Sequence, residues 1–406
     1  MITFPKDFFW GAATSAHQVE GDNCNCDWWE WEMQGAAREK SGKACRHYEY
    51  YQEDFDIAQS LNHNCHRISV EWSRIEPHEG EFCDAQISHY REVVSALRQR
   101  GIEPVVTLHH FTNPLWFSRK GGWEQKSSRA YFVRYARRIA EALCDKVSFW
   151  ATINEPLIYV YEAYLIGAWP PQKKSLSAAH KVAHNFSCAH IQAYKAIHAL
   201  YAQKKLPAPK VSIAHNIRAF VPCRDSLKNR LACYLRNKYF NFSILDTLAR
   251  HHSLDFIGIN YYSRDLIDLG PWDISGILMG TCKKHHDILP KNSLGWEIYP
   301  QGFYDLLIRL KKYNLPLFVL ENGACTDDDA LRWDFIYGHL KALSSAMQQG
   351  VKVQGYLYWS LVDNFEWDKG FGPRFGLVEI DYRTFERRIR LSAKRFAAVC
   401  KSGTLE

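Results

Sequence analysis

The run Val147-Ser148-Phe149-Trp150-Ala151-Thr152-Ile153 ends abruptly in Asn154-Glu155-Pro156. An apolar, aromatic stretch of this length reads as a buried strand, and the proline stops ladder pairing at its tip. The strand therefore delivers an amide and a carboxylate to its C-terminal end. Leu317-Phe318-Val319-Leu320 repeats the event, running straight into Glu321-Asn322-Gly323. A carboxylate at the end of an apolar strand is costly unless a site uses it. Two such exits in one chain point to two glutamates facing one pocket; the competing account is two unrelated strand-end carboxylates.

Working outward, short apolar strands alternate with longer amphipathic helical stretches, with no linker or low-complexity tract between them. Strands are predicted over residues 8–13, 65–70, 103–108, 147–153, 210–215, 255–259, 317–321 and 353–359. Helices are predicted over 49–61, 85–99, 128–143, 177–201 and 330–349; in the first, Tyr51, Phe55, Ala58 and Leu61 recur at helical spacing. Eight strand–helix units predict an α/β fold, a single (β/α)8 barrel catalytic domain over residues 1–406, a length that such barrels reach as one unit. Barrels of this kind gather their chemistry at the C-terminal ends of the strands. The exits here carry Gln18, Arg67, His110, Asn154 with Glu155, Asn260 with Tyr262, Glu321 and Trp359.

Composition narrows the function. The chain is 47% hydrophobic and 23% charged, enough for a large core. Its 14 Trp and 22 Tyr supply flat aromatic faces of the kind that bind sugar rings. The net charge of +7 comes from scattered basic residues without a recognition motif, which argues against nucleic acid. Arg387-Arg388-Ile389-Arg390 reads as the solvated face of a C-terminal helix. The N-terminus has no charged-then-apolar signal, and no window approaches a membrane span, so cytoplasm is the expected location. In that setting the 12 Cys are expected as reduced thiols. Cys24-Asn25-Cys26 is a weak metal signal, and His180 with His184 reads as a solvated helix face; no metal or cofactor is expected.

Two carboxylates at one pocket can cleave a glycosidic bond. One protonates the leaving oxygen while the other attacks the anomeric carbon; a separation of about 5–5.5 Å gives retention and about 6.5–9.5 Å gives inversion. If Arg67 and the phenol of Tyr262 reach Glu321, they hold it ionised and aimed as a nucleophile. Glu155, beside an anion, is then kept protonated as the acid, and becomes a base once Glu321 is esterified. Asn154 can bond the sugar 2-hydroxyl. The stretch from Trp359 to Trp367 offers Glu366 for paired hydroxyls and two indoles as stacking surfaces.

These residues resemble family 1 glycoside hydrolases, the β-glucosidase group of retaining enzymes, over almost the whole chain. The matching stretches run from Phe8-Phe9-Trp10-Gly11-Ala12-Ala13-Thr14-Ser15, Gln18 and Glu20-Gly21 through Arg67, Trp72-Ser73-Arg74-Ile75 and Gly121-Gly122-Trp123. They continue through Thr152-Ile153-Asn154-Glu155-Pro156, Asn260-Tyr261-Tyr262, Glu321-Asn322-Gly323, Trp359-Ser360-Leu361, Asp363-Asn364-Phe365-Glu366-Trp367 and Arg374-Phe375-Gly376-Leu377. The resemblance implies Glu155 as acid/base and Glu321 as nucleophile. It implies Gln18, His110, Asn154, Glu366 and Trp367 on the hydroxyls of a non-reducing sugar, Trp359 as its stacking floor and Phe375 lining the pocket. Arg67, Asn260 and Tyr262 would support the two carboxylates.

The implied substrate is a small β-glycoside or oligosaccharide with a terminal glucosyl, galactosyl or fucosyl unit. This chain departs from the family in carrying His109-His110-Phe111 where an indole is common, and in short connections from Gly323 to Leu331 and around Gln203 and Gly270. Those connections build the aglycone side, so a more open entrance is expected. A 6-phosphosugar is disfavoured because Glu366 and Asp368 would repel a phosphate dianion. Two other classes compete: a catalytically silent sugar-binding relative, and a metal-dependent hydrolase using His109-His110.

Overall fold

The computed structural model describes residues 1–268, 282 and 289–406. Eight strands form a closed barrel in which each pairs with its sequence neighbours and the last returns to the first. They are β1 (Phe9–Ala13), β2 (Cys65–Ser69), β3 (Glu103–His109), β4 (Phe149–Asn154), β5 (Lys210–Pro222), β6 (Ile257–Ile267), β7 (Leu317–Asn322) and β8 (Val353–Trp359). All ladders are parallel, and Phe9 to Ala13 pair in register with Gly355 to Trp359 to close the ring. Full closure leaves no free edge. The expected barrel is the observed one.

Alternating side chains divide the core in two. Inward residues fill the barrel's centre: Cys65, Val105, Ala151, Phe256, Leu320 and Leu357 pack there with an aromatic plug. Phe9 stacks on Phe318 at 5.7 Å and meets Phe149 edge-on at 5.4 Å. Outward residues form the larger core against the helices. The predicted helices are seen as His47–Ser60, Asp84–Gln99, Ser128–Leu143, Leu176–Gln203 and Asp329–Gln348. No helix among the described residues is long and apolar enough to cross a membrane.

Three expectations fail locally. The fifth and sixth strands run on to Pro222 and Ile267, well past the predicted ends at 215 and 259. A register shift after Ile217 lets the two continue as an extended pair beyond the barrel's mouth. Their tails draw together Cys223, whose N–H donates to Ile267 O, and Cys282, whose N–H donates to Leu266 O. The two cysteines form a disulfide, so the expected set of reduced thiols is wrong at this pair.

Arg387-Arg388-Ile389 is a strand paired with Val378–Ile380, not a helix face. The arginines are drawn inward by buried carboxylates: Arg387 to Asp54 at 2.9 Å and Arg390 to Asp363 at 2.8 Å. The C-terminal helix begins only at Leu391. The expected short stretch around Gly270 lies outside the described residues.

Candidate active site

Strand ends bring the expected residues together. Gln18, His110, Asn154, Glu155, Tyr262, Glu321, Trp359, Glu366, Trp367 and Phe375 all line one cavity of about 240 Å³ at the C-terminal mouth of the barrel. Arg67 and Asn260, both completely buried, sit beneath it and touch the carboxylates from below.

β4 ends at Asn154, and Glu155 turns the chain into a short helix that starts at Pro156. Glu155 sits in the left-handed region, φ 43° and ψ 56°, which costs a non-glycine residue roughly 1–2 kcal/mol. Its backbone N–H is anchored on Ala214 O at 2.7 Å. The turn aims the carboxyl into the cavity, and strain held in place by its surroundings is common at functional sites. At the other exit, β7 delivers Glu321, and Gly323 follows because a Cβ there would lie 1.8 Å from Trp359 O.

The two glutamates have different neighbours. Arg67 donates from Nη1 to Glu321 Oε1, and the Tyr262 hydroxyl donates to Oε2 at 2.5 Å. Burial pushes the Glu321 carboxyl up from its ordinary range, while the guanidinium first and then the phenol pull it back toward the charged form. Burial also pushes the Tyr262 phenol well up, so it remains a donor.

Among the described residues Glu155 has no ion pair. Its Oε1 accepts from two amides, Asn260 Nδ2 at 2.8 Å and Asn216 Nδ2 at 2.9 Å, and Arg218 acts on it only through space. Burial, reinforced by the Glu321 charge, pushes it up to about 7. Asn260 Nδ2 also donates to Asn154 Oδ1 at 3.1 Å, so one amide ties Glu155 to the residue before it.

Asn154 is fixed from two sides. Its Oδ1 accepts from Arg67 Nη2 at 2.7 Å, so its amide nitrogen is the donor to His110 Nε2 at 3.1 Å. Burial pushes His110 well down, hence neutral. With Nε2 accepting, the ring proton lies on Nδ1, which is buried and has no hydrogen-bond partner among the described residues.

Opposite, Gln18 donates to Glu366 Oε2 at 3.2 Å and to Phe365 O at 2.9 Å. Burial, then Glu321, pushes Glu366 up to about 8. The rings of Trp359 and Trp367 lie nearly parallel to His110, each at 6.0 Å, and Trp367 stacks on His17 at 5.6 Å.

Other sequence signals resolve as scaffolding. His109 points away from His110, toward Asn113 at 3.1 Å and Trp123 at 3.3 Å, because consecutive strand residues face opposite sides. The adjacent histidines therefore do not converge on one ion. Glu20 holds Arg74 at 3.0 Å and Tyr90 at 2.8 Å. Asn216 escaped the sequence reading because β5 was expected to stop one residue earlier. Its alternation with Ile217, and that of Arg218 with Ala219, was the available signal.

A family model described as Glycosyl hydrolase family 1 matches residues 1–250 and 237–404 of the chain. Beta-glucosidase A from Thermotoga maritima is 30% identical over 99% of this chain and 99% of that protein. Among solved structures, a β-glycosidase from Pyrococcus horikoshii superposes with a TM-score of 0.93 at 40% identity, covering 100% of this chain and 96% of that one. A family 1 β-glucosidase from Thermotoga maritima gives a TM-score of 0.92 at 29% identity, with 100% of both chains covered.

Proposed function

This chain belongs to glycosyl hydrolase family 1, and from that premise we propose that it releases a terminal non-reducing β-glycosyl unit, glucosyl first, through a covalent glycosyl-enzyme. It is a hydrolase of glycosidic bonds, and the retaining course is that of its family. The single observation that carries the assignment of roles is the asymmetry between the neighbours of the two glutamates. One is in direct contact with a guanidinium; the other is held by neutral amides and pushed up to about 7.

In the first step Glu321 attacks the anomeric carbon as the C–O bond to the leaving group breaks. Glu155 gives its proton to the departing oxygen. With Glu321 esterified, the neighbouring negative charge is gone and Glu155 becomes the better base. It takes a proton from water, which displaces Glu321 and restores the starting state.

The sugar would rest on Trp359. Gln18, Glu366 and Trp367 would take its outer hydroxyls, while Asn154 and His110 would serve the ring's other side.

A series of nitrophenyl β-D-glycosides tests the activity. Absence of release from the glucoside, galactoside, fucoside and mannoside, together with binding of an intact disaccharide, would establish a silent sugar-binding protein instead. The roles are tested by Glu321→Gly. Turnover should fall by several orders of magnitude, and azide should restore it with an α-linked glycosyl azide as product. A β-linked product from that variant would mean the two roles are reversed.

A further inference from the structure

The Cys223–Cys282 pair takes no part in the proposed reaction, and a carboxylate stands beside it. Cys223 Sγ, Cys282 Sγ and a carboxylate oxygen of Asp268 all lie within 4.8 Å of one another, each residue partly buried. The sheet explains this meeting. β5 and β6 run side by side as far as the pairs Val221–Leu266 and Pro222–Ile267, so the next residues, Cys223 and Asp268, are neighbours across the two tails. Cys282 is held at the same point by its N–H, which donates to Leu266 O at 2.8 Å, and the Cys223 N–H donates to Ile267 O at 2.9 Å. These backbone bonds fix the two Cα atoms 6.1 Å apart without help from the sulfur–sulfur bond.

Opening the disulfide therefore leaves two thiols and a carboxylate in place. Zinc takes thiolate and carboxylate ligands in tetrahedral geometry, with bonds of about 2.0–2.3 Å. Two ligands of one such ion stand roughly 3.5 Å apart, inside the 4.8 Å span of these three atoms. Asp268 is already oriented: its Oδ1 accepts from Asn229 Nδ2 at 3.3 Å, and Arg224 Nη2 stands 3.6 Å from its Oδ2. Partners of this kind aim a ligand at its ion. The guanidinium also offsets part of the negative charge that two thiolates and a carboxylate bring to a dication. Among the described residues, no other group of three His, Cys, Asp or Glu side chains converges in this way.

We propose that Cys223, Cys282 and Asp268 form a binding site for a thiophilic divalent cation, zinc first, which is open when the pair is reduced and closed when it is a disulfide. A dithiol reductant supplies two electrons and two protons to the disulfide, leaving two thiols and becoming a disulfide itself. The cation then displaces the two thiol protons to solvent and binds both thiolates and the Asp268 carboxylate, with water in the fourth position. The closed disulfide has no thiolate to offer and excludes the ion. In either state Cys282 stays tied to the tail of β5, the strand that carries Arg218 into the wall of the catalytic cavity.

The test uses cobalt(II) as the probe, because its bonds to thiolate give an intense charge-transfer absorption. The full chain is reduced with a dithiol, stripped with a chelator, desalted without air and titrated with cobalt, then with zinc. The reduced protein should develop the thiolate band and lose it as zinc displaces cobalt, and its melting temperature should rise with zinc concentration. The oxidised protein should show no band; since both states share one sequence, this comparison does not depend on any variant folding. Cys223→Ser should lose the band even when reduced. Asp268→Asn should weaken zinc binding by about 100-fold or more, beyond what the loss of a merely supporting group costs. Absence of the band from the reduced protein overturns the site. A band that persists undiminished in the oxidised protein or in Cys223→Ser also overturns it, since the ion then sits on other cysteines. Unchanged affinity in Asp268→Asn removes the carboxylate from the ligand set, and the three-ligand site with it.

Discussion

At the scale of single residues, the proposed mechanism turns on the protonation of Glu155. Its first step needs the acid form, which prevails below about 7 and is lost above it. kcat/KM should therefore fall as pH rises through about 7. Asn216 donates to the carboxylate and favours the charged form, so Asn216→Ala should move the alkaline limb upward by about one pH unit. A limb unmoved by this substitution would assign it to another group.

The same perturbation has a stability sign. The folded carboxyl titrates at about 7 against an ordinary 4.5, so the folded state binds the extra proton between these values. This group's stabilising contribution is complete below about 4.5 and is lost as pH rises through about 7. Glu155→Gln should therefore unfold at higher urea than the natural protein at pH 8, by about 3 kcal/mol, with the gap closing toward pH 5. Both glutamates were legible in the sequence because a carboxylate ending an apolar run is conspicuous. Whether Arg67 and Tyr262 reach Glu321, on which the proposed division of roles rests, was not legible, because that contact joins strands far apart in the sequence.

At the scale of elements, the barrel strands and most helices were legible because period-two and period-3.6 patterns are local. The misread segments are governed by distant partners. Arg387-Arg388-Ile389-Arg390 looks like a polar helix face in isolation. It becomes a strand because Asp54 and Asp363, far away in sequence, hold its guanidinium groups. Likewise β5 outruns its expected end because β6 continues beside it past a register shift.

The Asp363 cluster matters for the site. Its fully buried carboxylate pairs with Arg390 at 2.8 Å and Arg374 at 3.2 Å, and accepts the Gly376 N–H at 2.8 Å. This ties the stretch carrying Glu366 and Trp367 to the strands behind it. Asp363→Ala leaves two guanidinium groups uncompensated and should cost about 3–5 kcal/mol in chemical unfolding. KM should rise as Glu366 and Trp367 lose their anchor. Asp363→Asn, which keeps an acceptor, should fall between the two. A variant with unchanged unfolding would show that the cluster contributes only packing.

At the scale of the whole molecule, the sequence carries chemistry on eight strands and the closed barrel makes one pocket of them. Residues as far apart as Gln18 and Glu366 meet at 3.2 Å because the first and last strands are neighbours in the ring. The barrel's closure was legible from the count of units. The cysteine chemistry was not, because it depends on which thiols the fold brings face to face. Ten cysteines remain free, and burial pushes several of them well up, so they stay as inert thiols. Cys223 and Cys282 differ because the tails of β5 and β6 hold them side by side across 59 residues of sequence. A cross-link over a loop of that length restricts the unfolded chain by about 4 kcal/mol in the entropic account. The denatured, unreduced protein should therefore titrate ten thiols with a chromogenic disulfide reagent, and twelve after reduction. Reduction should lower the melting temperature, and Cys223→Ser should reproduce that lowering and make the protein insensitive to reductant. Twelve thiols before reduction would mean that the pair lies together unbonded in the protein as purified.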